Sequence, residues 1–386
     1  MDLYEFEGKA LLTRLGILTP RGSFCRDASE ARTVADALGY PCVVKSQVLT
    51  GGRGKAGGIA FVEGPYQLPA EVQRILELPI NGQLPAGVLV EQRLPAGREL
   101  YAAVAFDASR ACPVLLFSPR GGVEVEAGAA SLLRVPVGVD QLPAATPAWV
   151  TARVSAGLDA AERASLSPAL LEAIGRLLAN LLSAYCEHDL ELLEINPLIA
   201  YGDGLTATDA KVTVDDDAFF RQPGLVLSER PPLGELETRA RQASLQFVDL
   251  EGEIGLMANG AGLNLSLLDA VAAFGSSPAN FLDTGGGAST AKAYEGLRIL
   301  QDRGRRDPRV RAHLVMLSLA ITRAREATQG IAQAVREHPD DPVPTFAVVH
   351  GTGADEGRRI LEEVGIKVAP DIRTAVEWAA TAERKA

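Results

Sequence analysis

Basic charge, cysteine and long apolar runs are all scarce in this chain, and each shortage removes a class of function. Thirty-eight Lys and Arg stand against forty-nine Asp and Glu, a net charge of −11. A surface of that sign repels phosphate backbones, which excludes nucleic acid as the main partner but not a small anion held by local groups. The four cysteines, Cys25, Cys42, Cys112 and Cys186, fit no metal-ligand spacing and no disulfide frame. No stretch is read as approaching the roughly 20 apolar residues that cross a bilayer. The N-terminal stretch carries acids at positions 2, 5 and 7 in place of the basic start of a signal peptide. Together these absences predict a soluble cytoplasmic protein with reduced thiols and no membrane partner.

What is present is an ordinary globular composition, 47% hydrophobic and 23% charged, in 386 residues, a length for two or three domains. Leu3, Phe6, Ala10, Leu11 and Leu15 recur at helical spacing before Gly16, and "SEARTVADALG" forms a second helix ending at Gly39. The strand-like "YPCVVKSQVL" leads into "GGRGKAGG" and then "GGIAFVEG", so the order is strand, glycine loop, strand. "GVLVEQRL" and "RELYAAVAF" follow as strands, and residues from about 113 to 200 mix strands and helices as an α+β domain does. "RQPGLVLSERPPLGE" breaks the periodicity and sets a boundary at about 222 to 236. Beyond it, five strand–loop–helix units in succession predict a parallel sheet with helices on both faces. Ligands of such sheets sit beyond the strands' carboxyl ends, here "NGAG", "TGGGAS", "SLAITR" and "HGTGADEG".

Gly52, Gly54 and Gly57 spell G-x-G-x-x-G, but a dinucleotide fingerprint needs a helix after the last glycine, and here a strand follows. A phosphate-binding P-loop also fails, because Lys55 precedes Ala56 where Ser or Thr is required. A hairpin with glycine amides and two cations, Arg53 and Lys55, remains, either a flap over phosphates or a plain surface hairpin. Lys45, near the end of an apolar strand, needs an anionic partner, and a phosphate would serve.

"LELLEINPLIAYGDGLTATDAK" reads as two strands joined by Gly202-Asp203. That turn makes opposing residue numbers sum to 405, so Asn196 faces Asp209 and Glu194 faces Lys211, all four on one face. Asn196 and Asp209 offer hard oxygens suited to Mg2+, which takes its remaining ligands from water and phosphates; a salt-bridged, solvated face is the alternative. In the second half, the amides of "NGAG" and "TGGG" at βα turns form anion sites.

These strings, with "LYEFEGKALL", "DDDAFFRQP" and "PANFLDTGGGAS", resemble the β subunit of succinate–CoA ligase along nearly the full chain. The resemblance implies an α/β architecture: an ATP-grasp domain over 1–230, its flap-bearing part at about 22–100, and a flavodoxin-like ligase domain over 237–386. It implies phosphate contacts at Lys45, Gly52, Arg53 and Gly54, base and ribose contacts at Glu91, Leu94 and Glu99, and Mg2+ ligands at Asn196 and Asp209. A carboxylic acid site is implied at Asn259, Ala320, Ile321 and Thr322. The implied partner is an α subunit, in a heterodimer or heterotetramer, that carries the reacting phosphohistidine and binds most of the CoA. None of His188, His313, His338 and His350 lies in that histidine's motif, so ADP-forming ligase activity is expected only with the partner. ATP, becoming ADP, is the expected nucleotide and succinate or a related dicarboxylate the expected acid. The sequence departs from the family at "SLAITR", where a glycine-rich turn is usual. Leu319 is expected to crowd that turn, changing acid preference toward, for example, malate, or leaving a binding or regulatory subunit.

Overall fold

The computed structural model describes residues 1–122, 132–225, 227–228, 230, 234–320 and 323–384. They form two compact units, Met1–Pro231 and Pro232–Ala386.

The first unit opens with helix α1 (Glu5–Arg14), then β1 (Gly22–Cys25) and α2 (Ala28–Leu38). The α2 helix is capped by Asp27, which accepts from the amides of Ser29 and Glu30, and it stops at Gly39. Next come β2 (Cys42–Ser46), β3 (Ile59–Val62), α3 (Leu68–Leu76) and β4 (Val88–Gln92). The four strands make an antiparallel sheet in the order β1-β4-β2-β3. Alternation sends Val44, Val62, Val88 and Val90 toward one face, where Ala31 and Ala35 of α2 and Val72 and Ile75 of α3 cover them.

A second antiparallel sheet follows, from β5 (Arg98–Asp107), β6 (Cys112–Ser118) and β7 (Leu133–Pro136), then helices α4 (Pro147–Gly157), α5 (Ala160–Ala164) and α6 (Pro168–Glu187). It is completed by β8 (Leu190–Tyr201), β9 (Gly204–Ala207) and β10 (Lys211–Val214). Its order is β10-β8-β5-β6-β7, with β9 pairing β8. Contrary to the sequence expectation, α6 has the length and mean hydropathy, 1.3, to cross a bilayer. Its Ile174, Leu178 and Leu181 instead pack with Val104, Phe117 and Leu193 in the core over the sheet.

The second unit begins with α7 (Glu235–Gln242) and β11 (Gln246–Asp249), followed by five βα pairs. They are β12 (Ile254–Ala258) with α8 (Ala261–Ala273), β13 (Asn280–Asp283) with α9 (Thr290–Arg306), and β14 (Ala312–Leu319) with α10 (Ala324–Glu337). The last two are β15 (Thr345–Gly351) with α11 (Ala354–Glu362), and β16 (Lys367–Ala369) with α12 (Ile372–Ala380). Strands β12 to β16 are parallel, in the order β13-β12-β14-β15-β16 of a flavodoxin-like sheet, and β11 pairs antiparallel at the edge. Successive residues of each strand face opposite layers: Leu256 and Leu314 pack on Val271 of α8 and Val376 of α12, while Met257 and Val315 pack on Leu297 of α9 and Ile331 of α10.

Candidate active site

The cleft of the first unit grows from two hairpins. Antiparallel β2 and β3 pair with Lys45 opposite Ile59, so the glycine loop between them is a flap, as its order in the sequence implied. Within the flap the Ala56 amide donates to the Gly52 carbonyl, closing a compact turn that Gly52 enters at φ +84. Gly58 closes it against the chain; a Cβ there would lie 2.7 Å from Ile80 and 3.1 Å from Ser46.

The second hairpin keeps the register its turn sets. Lys211 pairs with Glu194, and Leu198 with Ala207, each pair summing to 405. Residues 208–210 leave the ladder between β9 and β10, and Asp209 reaches the cleft from that gap. A cavity of about 400 Å³ is lined by Gly51 to Lys55 of the flap together with Glu5, Glu194, Asn196, Asp209 and Lys211. The Asn196 Oδ1 accepts from the Gly122 amide at 2.7 Å, which fixes its side chain at the wall.

Behind this cavity lies a buried ion network that local sequence patterns do not reveal. Glu5 and Lys9 stand one turn apart on α1 and bond at 2.7 Å. The Lys9 ammonium also donates to both oxygens of Glu91, at 2.6 and 2.7 Å. Lys45 donates to Glu5 at 2.8 Å and to the Thr208 carbonyl at 2.5 Å, and lies 3.1 Å from Glu91. Two hydrogen bonds and an ion pair within the chain thus meet the Lys45 ammonium, and carboxylates are among its partners. Arg53 donates to Glu5 at 2.8 Å and, through its other nitrogen, to both oxygens of Asp209 at 2.9 Å. Three cations, Lys9, Lys45 and Arg53, balance three carboxylates, Glu5, Glu91 and Asp209.

Burial alone would push the Glu5 carboxyl up, but Lys45, Lys9 and Arg53 hold it well below the usual carboxylate range. Burial opposes charge on Lys45 as well; Glu5, Glu91 and Asp209 outweigh it and raise the ammonium above its ordinary value. Lys9 goes the other way: burial pushes it down despite Glu5, and the neighbouring Lys45 adds to the fall. The two lysines share the same carboxylates, Glu5 and Glu91.

The structure therefore gathers Gly52, Arg53, Gly54, Asn196 and Asp209 at one cavity wall. Lys45 and Glu91 sit behind it in the ion network, Glu91 only 2% exposed. Leu94 lies in the loop between β4 and β5, and Glu99 is exposed on β5 opposite Ile199. Glu5 and Lys9 carry no signal in the sequence, because the helical spacing of α1 is set by its apolar residues. In the fold Ala10 is exposed and the charged pair faces inward.

In the second unit, Asn259 directly follows β12 and exchanges two hydrogen bonds with the backbone of Ser318, Nδ2 to its carbonyl at 2.8 Å and Oδ1 from its amide at 2.7 Å. The amides of Gly260 and Gly285, expected to receive an external anion, both donate to Asp283 Oδ1, at 2.6 and 2.8 Å. Ala320 follows β14, and its carbonyl accepts from the Thr352 hydroxyl at 3.3 Å. Ile321 and Thr322 lie outside the described residues. Leu319, expected to crowd that turn, is 2% exposed, its side chain in the core cluster with Ala324 and Ala327 of α10 and not at the surface. The cause is pleat alternation, which sends Leu317 and Leu319 to one layer and leaves Ser318 exposed.

Residues 2–200 match the ATP-grasp domain family and residues 257–382 the CoA-ligase family. The ADP-forming succinate–CoA ligase β subunit of Rubrobacter xylanophilus is 38% identical, covering 94% of this chain and 93% of its own. That of Roseiflexus sp. is 37% identical over 99% of both. The chain belongs to the succinate–CoA ligase β-subunit family. Membership makes it a subunit of an ADP-forming CoA ligase built from an ATP-grasp domain and a CoA-ligase domain, as the sequence resemblance implied. The β subunit of Staphylothermus marinus is 34% identical over 98% of each chain. A solved ATP citrate lyase of Methanothrix soehngenii, in complex with citrate and coenzyme A, covers 98% of this chain and 99% of that one at 20% identity and a TM-score of 0.72, a likeness of fold.

Proposed function

We propose that this chain is the MgATP-binding β subunit of an acid–CoA ligase that activates succinate or a closely related dicarboxylate with a partner α subunit. The observation that carries the reading is the cavity in which the flap, Gly51 to Lys55, faces the oxygens of Asn196 and Asp209. Flap amides and the Arg53 guanidinium suit phosphate oxygens. Asn196 and Asp209 suit a small hard cation that keeps substrate phosphates among its ligands, and both side chains line the cavity. Bound there, Mg2+ would neutralise charge on the transferring phosphoryl group.

This chain's own part is positioning. The flap closes over the triphosphate, Arg53 and the second hairpin fix its terminal group, and the network behind them holds Lys45 charged. The phosphoryl group passes to the partner's histidine and then to the acid, whose activated carboxyl is taken by the CoA thiol with release of phosphate. Asn259 and the turn after β14 form this chain's share of the acid site. The buried position of Leu319 takes away the steric argument for a changed acid. Turnover by the co-purified α and β subunits over a panel of mono- and dicarboxylates tests the assignment. Succinate is expected to give the highest kcat/KM, and preference for a monocarboxylate would overturn it.

A further inference from the structure

Arg53 holds two carboxylates of unequal standing. Its first terminal nitrogen donates to Glu5 Oε2 at 2.8 Å and to the Ser46 carbonyl at 3.2 Å. Its second donates to both Asp209 oxygens at 2.9 Å. The Glu5 side chain is 1% exposed and tied to Lys9 and Lys45 as well, whereas that of Asp209 is 29% exposed on the cavity wall. The Glu5 end is therefore fixed and the Asp209 end is open to exchange.

We propose that Arg53 is a two-ended positioning arm, anchored on Glu5, whose outer end passes from Asp209 to an incoming phosphate group while Asp209 is released to a divalent cation. The inference rests on the nucleotide-binding reading of the cleft. Its physical basis is that a charged partner left alone in a partly buried site is costly. A phosphate arriving without a cation takes the Asp209 carboxylate's guanidinium partner and leaves it only the Ala210 amide, at 2.7 Å, and solvent, with the phosphate's negative charge beside it. A cation arriving without phosphate strands half of the guanidinium fork. Arriving together, the two ligands exchange partners with Arg53 and Asp209 and strand neither group. Nucleotide and cation must then bind with positive coupling, equal in both directions. Glu5 acts through Arg53 and needs no contact with substrate.

Calorimetric binding of ADP to the full chain, with and without Mg2+, tests this. In the wild type Mg2+ is expected to tighten ADP binding about tenfold or more, within the usual range of coupling between sites. Asp209→Asn weakens the hold on the arm's outer end, so ADP without Mg2+ binds about fivefold tighter than to the wild type, and the gain from Mg2+ falls below about twofold. In Arg53→Lys/Asp209→Asn the metal-free gain disappears, because a compact ammonium held on Glu5 does not extend to the outer position that the second guanidinium nitrogen occupies. Unchanged or weaker metal-free binding by Asp209→Asn overturns the arm, as does a gain that survives Arg53→Lys. Failure of the wild type to bind ADP even with Mg2+ would instead overturn the nucleotide reading of the cleft.

Discussion

Glu5 carries more of the cleft than its place at the start of the chain suggests. Its carboxylate faces Lys9, Lys45 and Arg53 within 2.8 Å, with 1% of its side chain exposed. Removing one member of such a buried group leaves charge uncompensated, so Glu5→Gln is expected to destabilise the protein by about 3–5 kcal/mol, read from urea unfolding. Adding Lys9→Met should restore part of that loss, because Lys45 and Arg53 would then balance Glu91 and Asp209. Strict additivity of the two losses would show that they are not one network. The flap was legible in the sequence because turn chemistry is a local rule, and the hairpin register held on either side of residues 208–210, although Asp209 itself leaves the ladder and reaches the cavity from that gap. The partners of Lys45 were not, since Glu5 is forty residues away and nothing local joins the two.

Elements differ in how plainly they announce themselves. All five βα pairs of the second unit were readable, because buried parallel strands are continuous apolar runs and each is followed by a helical period. Helix α7 and strand β11 were not: "ELETRARQ" buries only Leu236 and Ala240, and "QFVD" is a four-residue edge strand without a buried residue. The fate of Leu319 depends on pleat phase at the last residue of β14, which a string of letters does not fix. Leu319→Ala is expected to cost about 2–5 kcal/mol in stability, measured by denaturant midpoint, as for other buried leucines; a neutral effect would return that side chain to the surface of the turn. Strand β14 also carries His313, fully buried, with neither ring nitrogen hydrogen-bonded. Burial, with Arg384 and Arg305 adding to it, pushes its pKa from 6.5 down to about 3. The unfolded chain then binds a proton that the folded one refuses, so His313 makes the protein lose stability as pH falls from 6.5 to about 3. The loss is roughly 1.4 kcal/mol per pH unit inside that window, the value for one proton. His313→Val should flatten that part of a stability-against-pH curve, and an unchanged slope would count against it.

At the scale of the whole molecule, two compact units with separate cores carry two candidate sites. The first offers a cavity with a flap, hard oxygens and a balanced ion network. The second offers the carboxyl edge of a parallel sheet, where Asn259 joins β12 to β14 and Asp283 holds two glycine turns. Neither unit is expected to supply the reacting nucleophile. His313 is fully buried in β14, His188 and His338 stand at the C-terminal ends of α6 and α10, and His350, on β15 opposite Ser318, lies outside the phosphohistidine motif that the resemblance implies. Lengthwise similarity to succinate–CoA ligase β subunits, 34–38% over 94–99% of the chain, fits a protein that works with a second chain. Dependence on that second chain is tested most directly by ADP formation from ATP. It is measured for this chain alone, for the proposed α subunit alone and for the two mixed, each with succinate and CoA present or omitted. Sustained ADP release is expected only from the mixture with both cosubstrates, and is expected to be lost in Asp209→Ala. Acid-dependent ADP release by the chain alone, or a mixture that binds MgATP yet turns over no acid, would contradict that dependence.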